Sequence, residues 1–125
     1  MFRCVAILVV LLSIAPLKAA EPPKARPMQA TAYCQSGTTA SGTQTRRGIV
    51  AADPRVLPLG TTIRIVAPVR DYSTTYRVED TGGKVKGRIV DIYVRSCAAA
   101  RRFGRRMVHV HVLQRAHPGP VADKD

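Results

Sequence analysis

The sequence predicts an all-β fold, a small closed barrel of six short strands with one short helix. A chain of 125 residues is long enough for one domain. Its apolar residues alternate with polar ones at the period of two that is typical of strands. Gly and Pro, nine of each, separate these runs as turns would. Closure into a barrel is expected because it removes exposed strand edges.

The predicted strands are the runs rich in β-branched residues. Val108, Val110 and Val112 fall on one face of the last run, and Ile63 and Ile65 share a face in the third. The six strands are predicted at residues 28–33, 48–52, 61–67, 75–79, 88–94 and 106–114.

One short helix is predicted over residues 96–103, between the last two strands. Ser96 is a favourable N-cap, because its hydroxyl can accept a hydrogen bond from a free backbone N–H group. Gly104 follows the segment and is a typical helix stop.

The ends of the chain are predicted to lie outside the barrel domain of residues 28–115. Residues 1–19 are typical of a secretory signal peptide, with Arg3, an apolar run and small residues before the expected cleavage site. Residues 20–27 are predicted to form a linker and residues 116–125 a flexible tail. The signal predicts export, to the periplasm or to the medium and cell wall.

Export also bears on the cysteines. Cys4 lies in the predicted signal peptide, which leaves Cys34 and Cys97 in the mature chain. In an oxidising compartment a single pair is expected to form a disulfide. A catalytic thiol is the less favoured alternative, since no His or Asn arrangement singles out either cysteine.

No cofactor is expected. His109 and His111 share a strand face, but no third metal ligand follows at a recognisable spacing, so no metal site is predicted.

Three aspartates lie at unusual positions. Asp53 and Asp80 end strands, and Asp91 lies within one, although aspartate is depleted in strands. Burial would raise the pKa of Asp91, and nearby carboxylates would raise it further. Ordinary explanations remain open: a turn or cap for Asp53, an Asx-turn for Asp80 and an ion pair for Asp91. Glu79 is expected to face solvent.

Several short motifs occur in order between positions 31 and 113. They are TAY at 31–33, TASGT at 39–43, GIVAADP at 48–54, LPLGT at 57–61, EDTGG at 79–83 and RIVDIY at 88–93. This series resembles the three-aspartate (3D) domain family. That family is similar to the barrel domain of membrane-bound lytic transglycosylase A and to small secreted muralytic proteins.

The resemblance implies a double-psi β-barrel and a peptidoglycan substrate. It implies lytic cleavage of the glycan strand between MurNAc and GlcNAc, with Asp91 as the general acid and base. Asp80 would assist, and Asp53 would support the site and help to raise the pKa of Asp91. A hydrolase with paired carboxylates is not distinguished by the sequence alone.

Substrate contacts are expected from a hydroxyl-rich loop and a glycine turn. Thr39, Gly82 and Gly83 would face the glycan, with Lys86 near its carboxylates. Tyr33 is a candidate platform for a sugar ring, although core packing explains a tyrosine there equally well. Plain turns and a solvated lysine are the alternative interpretation of the other four positions.

Features of the sequence bear on three other function classes: a wall-binding protein, an aspartic protease and a nucleic-acid-binding protein. A non-catalytic barrel that binds the cell wall is the main alternative, because a binder would keep the same fold. The tripeptide at positions 80–82 also occurs in aspartic proteases, but a chain this short would have to dimerise to pair its carboxylates.

The net charge of +12 suits anionic wall or membrane polymers as partners. Nucleic acid is not expected as a partner, since the chain is predicted to be exported and carries no nucleic-acid-binding motif.

Overall fold

Six strands close into a barrel in the computed structural model, which describes residues 10–15 and 24–117. The strands are β1 (Ala25–Tyr33), β2 (Ile49–Ala52), β3 (Thr62–Val66), β4 (Thr74–Asp80), β5 (Ile89–Tyr93) and β6 (Arg106–Gln114). The helix α1 spans Cys97–Phe103. The prediction of a small six-stranded, all-β barrel with one helix is therefore confirmed.

The strand order around the barrel is β1-β5-β2-β4-β3-β6. The β1–β5 and β2–β4 pairs are parallel, and the other four pairs are antiparallel. Strand β1 begins three residues before the predicted start at Met28, because β6 is long enough to pair with it as far as Ala25, opposite His111. Of the predicted signal peptide, residues 1–9 and 16–19 lie outside the described residues, as does the predicted tail from residue 118.

Alternate residues of each strand fill the barrel interior. On β5, Val90 and Ile92 are at most 1% exposed, and on β6 Val108 and Val110 are equally buried. Each such side chain stabilises the fold by about 1.5–3 kcal/mol relative to exposure. The intervening residues, among them Asp91, must therefore point to the outer surface of the barrel.

Helix α1 packs onto the barrel through Phe103, which is 3% exposed and lies 4.5 Å from the ring of Tyr72. Its start is capped as predicted, since the Ser96 hydroxyl accepts a hydrogen bond from Ala99 N at 3.2 Å. It ends at Gly104, whose φ of 61° lies in the region that glycine favours.

A disulfide joins Cys34 and Cys97, as predicted, with 5.1 Å between their Cα atoms. It connects the residue after β1 to the first residue of α1. In the described ranges, 10–15 and 24–117, no helix is both long and apolar enough to cross a membrane.

Replacing Cys34 and Cys97 together by Ser should lower the free energy of unfolding by about 3–5 kcal/mol, because the crosslink restricts the unfolded chain across a long loop. The two cysteines are 63 positions apart. Urea denaturation of the oxidised protein and of the double variant measures the difference. Wild-type protein treated with a reductant should behave like the variant, and equal stability of oxidised protein and variant would contradict the prediction.

Candidate active site

Asp91 lies at the centre of a patch on the outer face of the barrel. Its neighbours across the sheet are Thr31 of β1 on one side and Ala51 of β2 on the other. Since Val90 and Ile92 point inward, the carboxyl group of Asp91 points outward, where it is half-buried beneath the surrounding loops.

A shift in register brings Asp80 to the same patch. Val50 of β2 pairs with Val78 of β4, but the next residue, Ala51, pairs with Asp80 and skips Glu79. Such a bulge places two residues of one strand opposite one of the other. Asp80 of β4 and Asp91 of β5 therefore flank Ala51 from opposite sides of β2, with their backbones about 10 Å apart, which is two strand spacings. The small side chain of Ala51 leaves the space between them open.

The surroundings of Asp91 favour its protonated form. Burial raises the pKa of Asp91 above its ordinary value, and the negative charge of Asp80 raises it further. A hydrogen bond from Thr31 Oγ1 to Asp91 Oδ1, 2.9 Å long, opposes this shift by stabilising the charged form. Burial is the largest of the three effects. The prediction that burial and a like charge raise this pKa is confirmed.

Asp80 is held in place by three donors. Its Oδ1 accepts hydrogen bonds from Ala40 N at 3.0 Å and Thr81 N at 2.9 Å, and Oδ2 lies 3.5 Å from the hydroxyl of Tyr33. Burial and the adjacent Asp80 carboxylate raise the pKa of Tyr33 above its usual range, so its hydroxyl remains a donor. The Tyr33 ring packs edge-on against Tyr93, with 5.5 Å between the centroids.

These residues line an open cleft of about 300 Å³. Residues 35–38 and Thr45 form one wall, and Gly82 and Val85 contribute to another. A Cβ at position 82 would lie 2.8 Å from Val85 Cγ2, so a larger residue than Gly82 would displace the Val85 side chain. The cleft thus contains four of the predicted site residues, Asp80, Asp91, Tyr33 and Gly82.

Glu79 is buried, which corrects the expectation that it faces solvent. Thr43 Oγ1 donates to its Oε2 at 2.9 Å, Arg46 forms an ion pair with the same oxygen, and Arg77 Nε lies 3.5 Å from Oε1. The loop between β1 and β2 folds back over β4 and brings Thr43 and Arg46 to this carboxylate. The hydrogen bond from Arg46 is the main reason that the pKa of Glu79 is lowered. Glu79 therefore fastens the wall of the cleft to the barrel.

Asp53 lies outside the cleft, contrary to the expectation that it supports Asp91. Its Oδ1 accepts from Arg55 N at 3.0 Å and Nε at 3.1 Å, and its Oδ2 accepts from Arg55 Nη2 and Gly87 N, both at 2.8 Å. The Arg55 hydrogen bond, with those from the backbone, holds the pKa of Asp53 well below its usual range. This carboxylate ties the end of β2 to the turn before β5, and it is not among the groups that shift the pKa of Asp91.

The other predicted glycan contacts also lie away from the cleft. Thr39 is 5% exposed, and its hydroxyl is within 3.0 Å of those of Ser41 and Thr43 inside the loop. Gly83 and Lys86 are exposed and do not line the cleft. In the part of the chain that the structure describes, no three His, Cys, Asp or Glu side chains are close enough together to hold a metal ion.

Thr31 and Glu79 were not singled out as site residues from the sequence. Thr31 is recognisable only once β1 is paired in parallel with β5, which places it beside Asp91. Glu79 becomes recognisable only through the fold of the loop. Its place as the first residue of the EDTGG motif was the one available signal for it.

Comparison with known proteins finds a matching family model and relatives that are named for the cell wall. The family model described as "3D domain" matches residues 48–114. The cell wall-binding protein YocH of Bacillus subtilis is 34% identical over 102 residues, which are 74% of this chain and 34% of YocH. The putative cell wall shaping protein YabE of the same organism is 32% identical over 89 residues, 66% of this chain and 21% of YabE. The chain thus spans about a third of the length of YocH and about a fifth of that of YabE.

The barrel is also similar to solved structures of MltA from Escherichia coli, described as a lytic transglycosylase. One crystal structure of MltA superimposes with a TM-score of 0.55 and 28% identity, over 64% of this chain and 28% of MltA. MltA with bound chitohexaose gives a TM-score of 0.55 and 27% identity, over 66% of this chain and 29% of MltA.

Acidification should destabilise the protein through Asp53 and Glu79. The pKa of each is lower in the folded chain than in the unfolded chain, so their stabilisation is complete above the ordinary carboxyl pKa of about 4. It is lost as the pH falls through the lower folded values, because the unfolded chain then binds more protons. Urea denaturation at a series of pH values measures this loss.

The variant Asp53→Asn should be less stable at neutral pH and should lose less stability on acidification. Asp71→Asn is the matched control, because Asp71 is exposed in the turn before β4. If Asp53→Asn and wild type lost stability in parallel, the structural role of Asp53 would be wrong.

Proposed function

The chain belongs to the 3D domain family, and on that premise we propose that it is a peptidoglycan lytic transglycosylase. It cleaves the β-1,4 bond between MurNAc and GlcNAc. The observation that carries this proposal is a half-buried Asp91 in an open cleft, with a raised pKa and Asp80 beside it. A carboxylic acid that keeps its proton is the group needed to protonate a glycosidic oxygen. The similarity to MltA and its complex with chitohexaose supports a glycan substrate.

In the first step, protonated Asp91 donates its proton to the oxygen that links MurNAc to GlcNAc. The bond between this oxygen and C1 of MurNAc breaks, and positive charge develops on C1. The carboxylate of Asp80 stabilises that charge from across Ala51. Its backbone donors, Ala40 N and Thr81 N, fix its position before the reaction, so little reorganisation is needed in the transition state.

In the second step, the carboxylate of Asp91 accepts the proton of the C6 hydroxyl of the same MurNAc. The C6 oxygen attacks C1 and forms a 1,6-anhydro ring, without consuming water. Intramolecular attack benefits from proximity. Thr31 binds Oδ1 of Asp91, which leaves Oδ2 to face the substrate throughout. Tyr33 lines the cleft and is partly exposed, so its ring provides a surface for a sugar.

A second candidate function is a barrel that binds the wall without cleaving it. The name of YocH, a cell wall-binding protein, favours this function. A hydrolase is the remaining alternative, with water rather than the C6 hydroxyl as the nucleophile and a second carboxylate about 5–9 Å from the first. All three place the protein outside the cytoplasm, in contact with peptidoglycan.

Asp91→Asn should reduce the release of 1,6-anhydro-muropeptides from purified sacculi by about 100- to 10,000-fold, the usual contribution of a general acid and base. Asparagine can still accept the Thr31 hydrogen bond, so the fold should be retained. Mass spectrometry of the soluble muropeptides measures the products. Asp71→Asn makes the same chemical change at an exposed position and should remain active.

The product identifies the function. Anhydro products that depend on Asp91 support a lytic transglycosylase, and reducing-end products would show a hydrolase instead. If wild type and Asp91→Asn both sediment with sacculi and neither releases muropeptides, the protein is a binder. Undiminished anhydro products from Asp91→Asn would contradict the role of Asp91.

A further inference from the structure

A second cavity lies at the end of the barrel where β1 begins and β6 ends. It measures about 560 Å³ and shares no lining residue with the cleft that contains Asp91. Four arginines line it: Arg26 of β1, Arg55 after β2, Arg88 before β5 and Arg115 after β6. We call this cavity the arginine groove. Four segments that are distant in sequence thus bring the same side chain to one place.

The arginine groove is strongly cationic. Among the described residues, the one carboxylate paired with any of the four arginines is that of Asp53, which binds Arg55 at 2.8 Å. Counted over the described residues, the groove therefore keeps a surplus of three positive charges, four arginines less one aspartate. Like charges held this close repel one another, and an anionic ligand would relieve that repulsion.

Two of the four arginines are positioned before any ligand binds. Asp53 accepts hydrogen bonds from Nε and Nη2 of Arg55, and Arg115 Nη1 donates to the backbone oxygen of Val56 at 3.2 Å. Arg26 and Arg88 are exposed and form no ion pair with a described residue. Pre-positioned donors lower the entropic cost of binding, and guanidinium groups bind phosphate oxygens in pairs.

The shape and lining of the groove narrow the class of ligand. Its volume suits a segment of a molecule rather than a single small ion. The apolar lining consists of small or aliphatic residues, Ala25, Pro27, Met28 and Val56. None of the described residues that line the groove is aromatic, so no ring among them could stack a nucleobase, which disfavours single-stranded nucleic acid. The exposed apolar residues Val66, Met107 and Leu113, which could enter a lipid surface, lie outside it.

We propose that the arginine groove binds a phosphodiester polymer of the cell wall, with several successive phosphates of one chain paired to its arginines. A polyol backbone would lie against the aliphatic floor. The choice of a wall polymer rests on the proposed location at the cell wall, and the binding itself needs neither Asp91 nor bond cleavage. The groove would hold the enzyme on the wall while the separate cleft engages the glycan.

The test is a titration of fluorescently labelled oligo(glycerol phosphate) with the full-length protein, followed by anisotropy. Arg26→Gln/Arg88→Gln should weaken binding by at least about tenfold, because it removes two phosphate partners. Arg101→Gln/Arg102→Gln removes the same charge from the exposed surface of α1 and should weaken binding by no more than about threefold. Both pairs are exposed, so circular dichroism should show an unchanged fold.

Several results would overturn the proposal. Equal weakening by the two double variants would indicate diffuse attraction to a basic protein. Equal affinity for polyglutamate would remove the preference for phosphate. Tighter binding of single-stranded DNA, or binding to anionic lipid vesicles that depends on Arg26 and Arg88, would assign the groove to another partner. If the labelled polymer does not bind, the proposal for the groove is wrong. The cleavage of sacculi that depends on Asp91 is a separate measurement, so the two proposals are tested separately.

Discussion

The register shift between β2 and β4 is the constraint on which the cleft depends. With strict alternation, Asp80 would follow Val78 into the barrel interior, where a carboxylate is costly to bury. Because Ala51 pairs with Asp80 rather than Glu79, Asp80 joins Glu79 on the outer face, and both acids reach the loop between β1 and β2. Glu79 fastens that loop through Arg46 and Thr43, and Asp80 binds its backbone at Ala40. One irregularity therefore builds the wall of the cleft and places a second carboxylate beside Asp91.

The acids of this part of the barrel differ in their partners, and this difference separates structural groups from the candidate catalytic group. Asp53 and Glu79 are paired with arginines, and their pKa values are lowered. Asp91 has a threonine as its hydrogen-bond partner and another acid as its charged neighbour, so burial prevails and its pKa is raised. Although the chain has a net charge of +12, no arginine is among the groups that shift the pKa of Asp91, so burial and Asp80 can raise it.

Features set by local sequence were predictable. The strands follow from residue alternation, α1 from Ser96 and Gly104, and the disulfide from the two cysteines that lie outside the predicted signal peptide. The burial of Asp91 also follows from its position within a strand. The register shift, the burial of Glu79 and the arginine pairing of Asp53 were not predictable, because each depends on segments that meet only in the folded chain. For the same reason, the sequence placed Thr39 and Lys86 at the glycan, whereas one lies inside the loop and the other outside the cleft.

The central claim is that Asp91 holds its proton more tightly than an ordinary aspartate. Titration of its side-chain carboxyl carbon by ¹³C NMR, in wild type and in Asp80→Asn, tests this claim directly. We expect a pKa above the ordinary value of about 3.9 in wild type, and a lower pKa in Asp80→Asn, because the repelling charge is removed. A pKa at or below the ordinary value, unchanged in Asp80→Asn, would contradict the account and leave the cleft without its proposed acid.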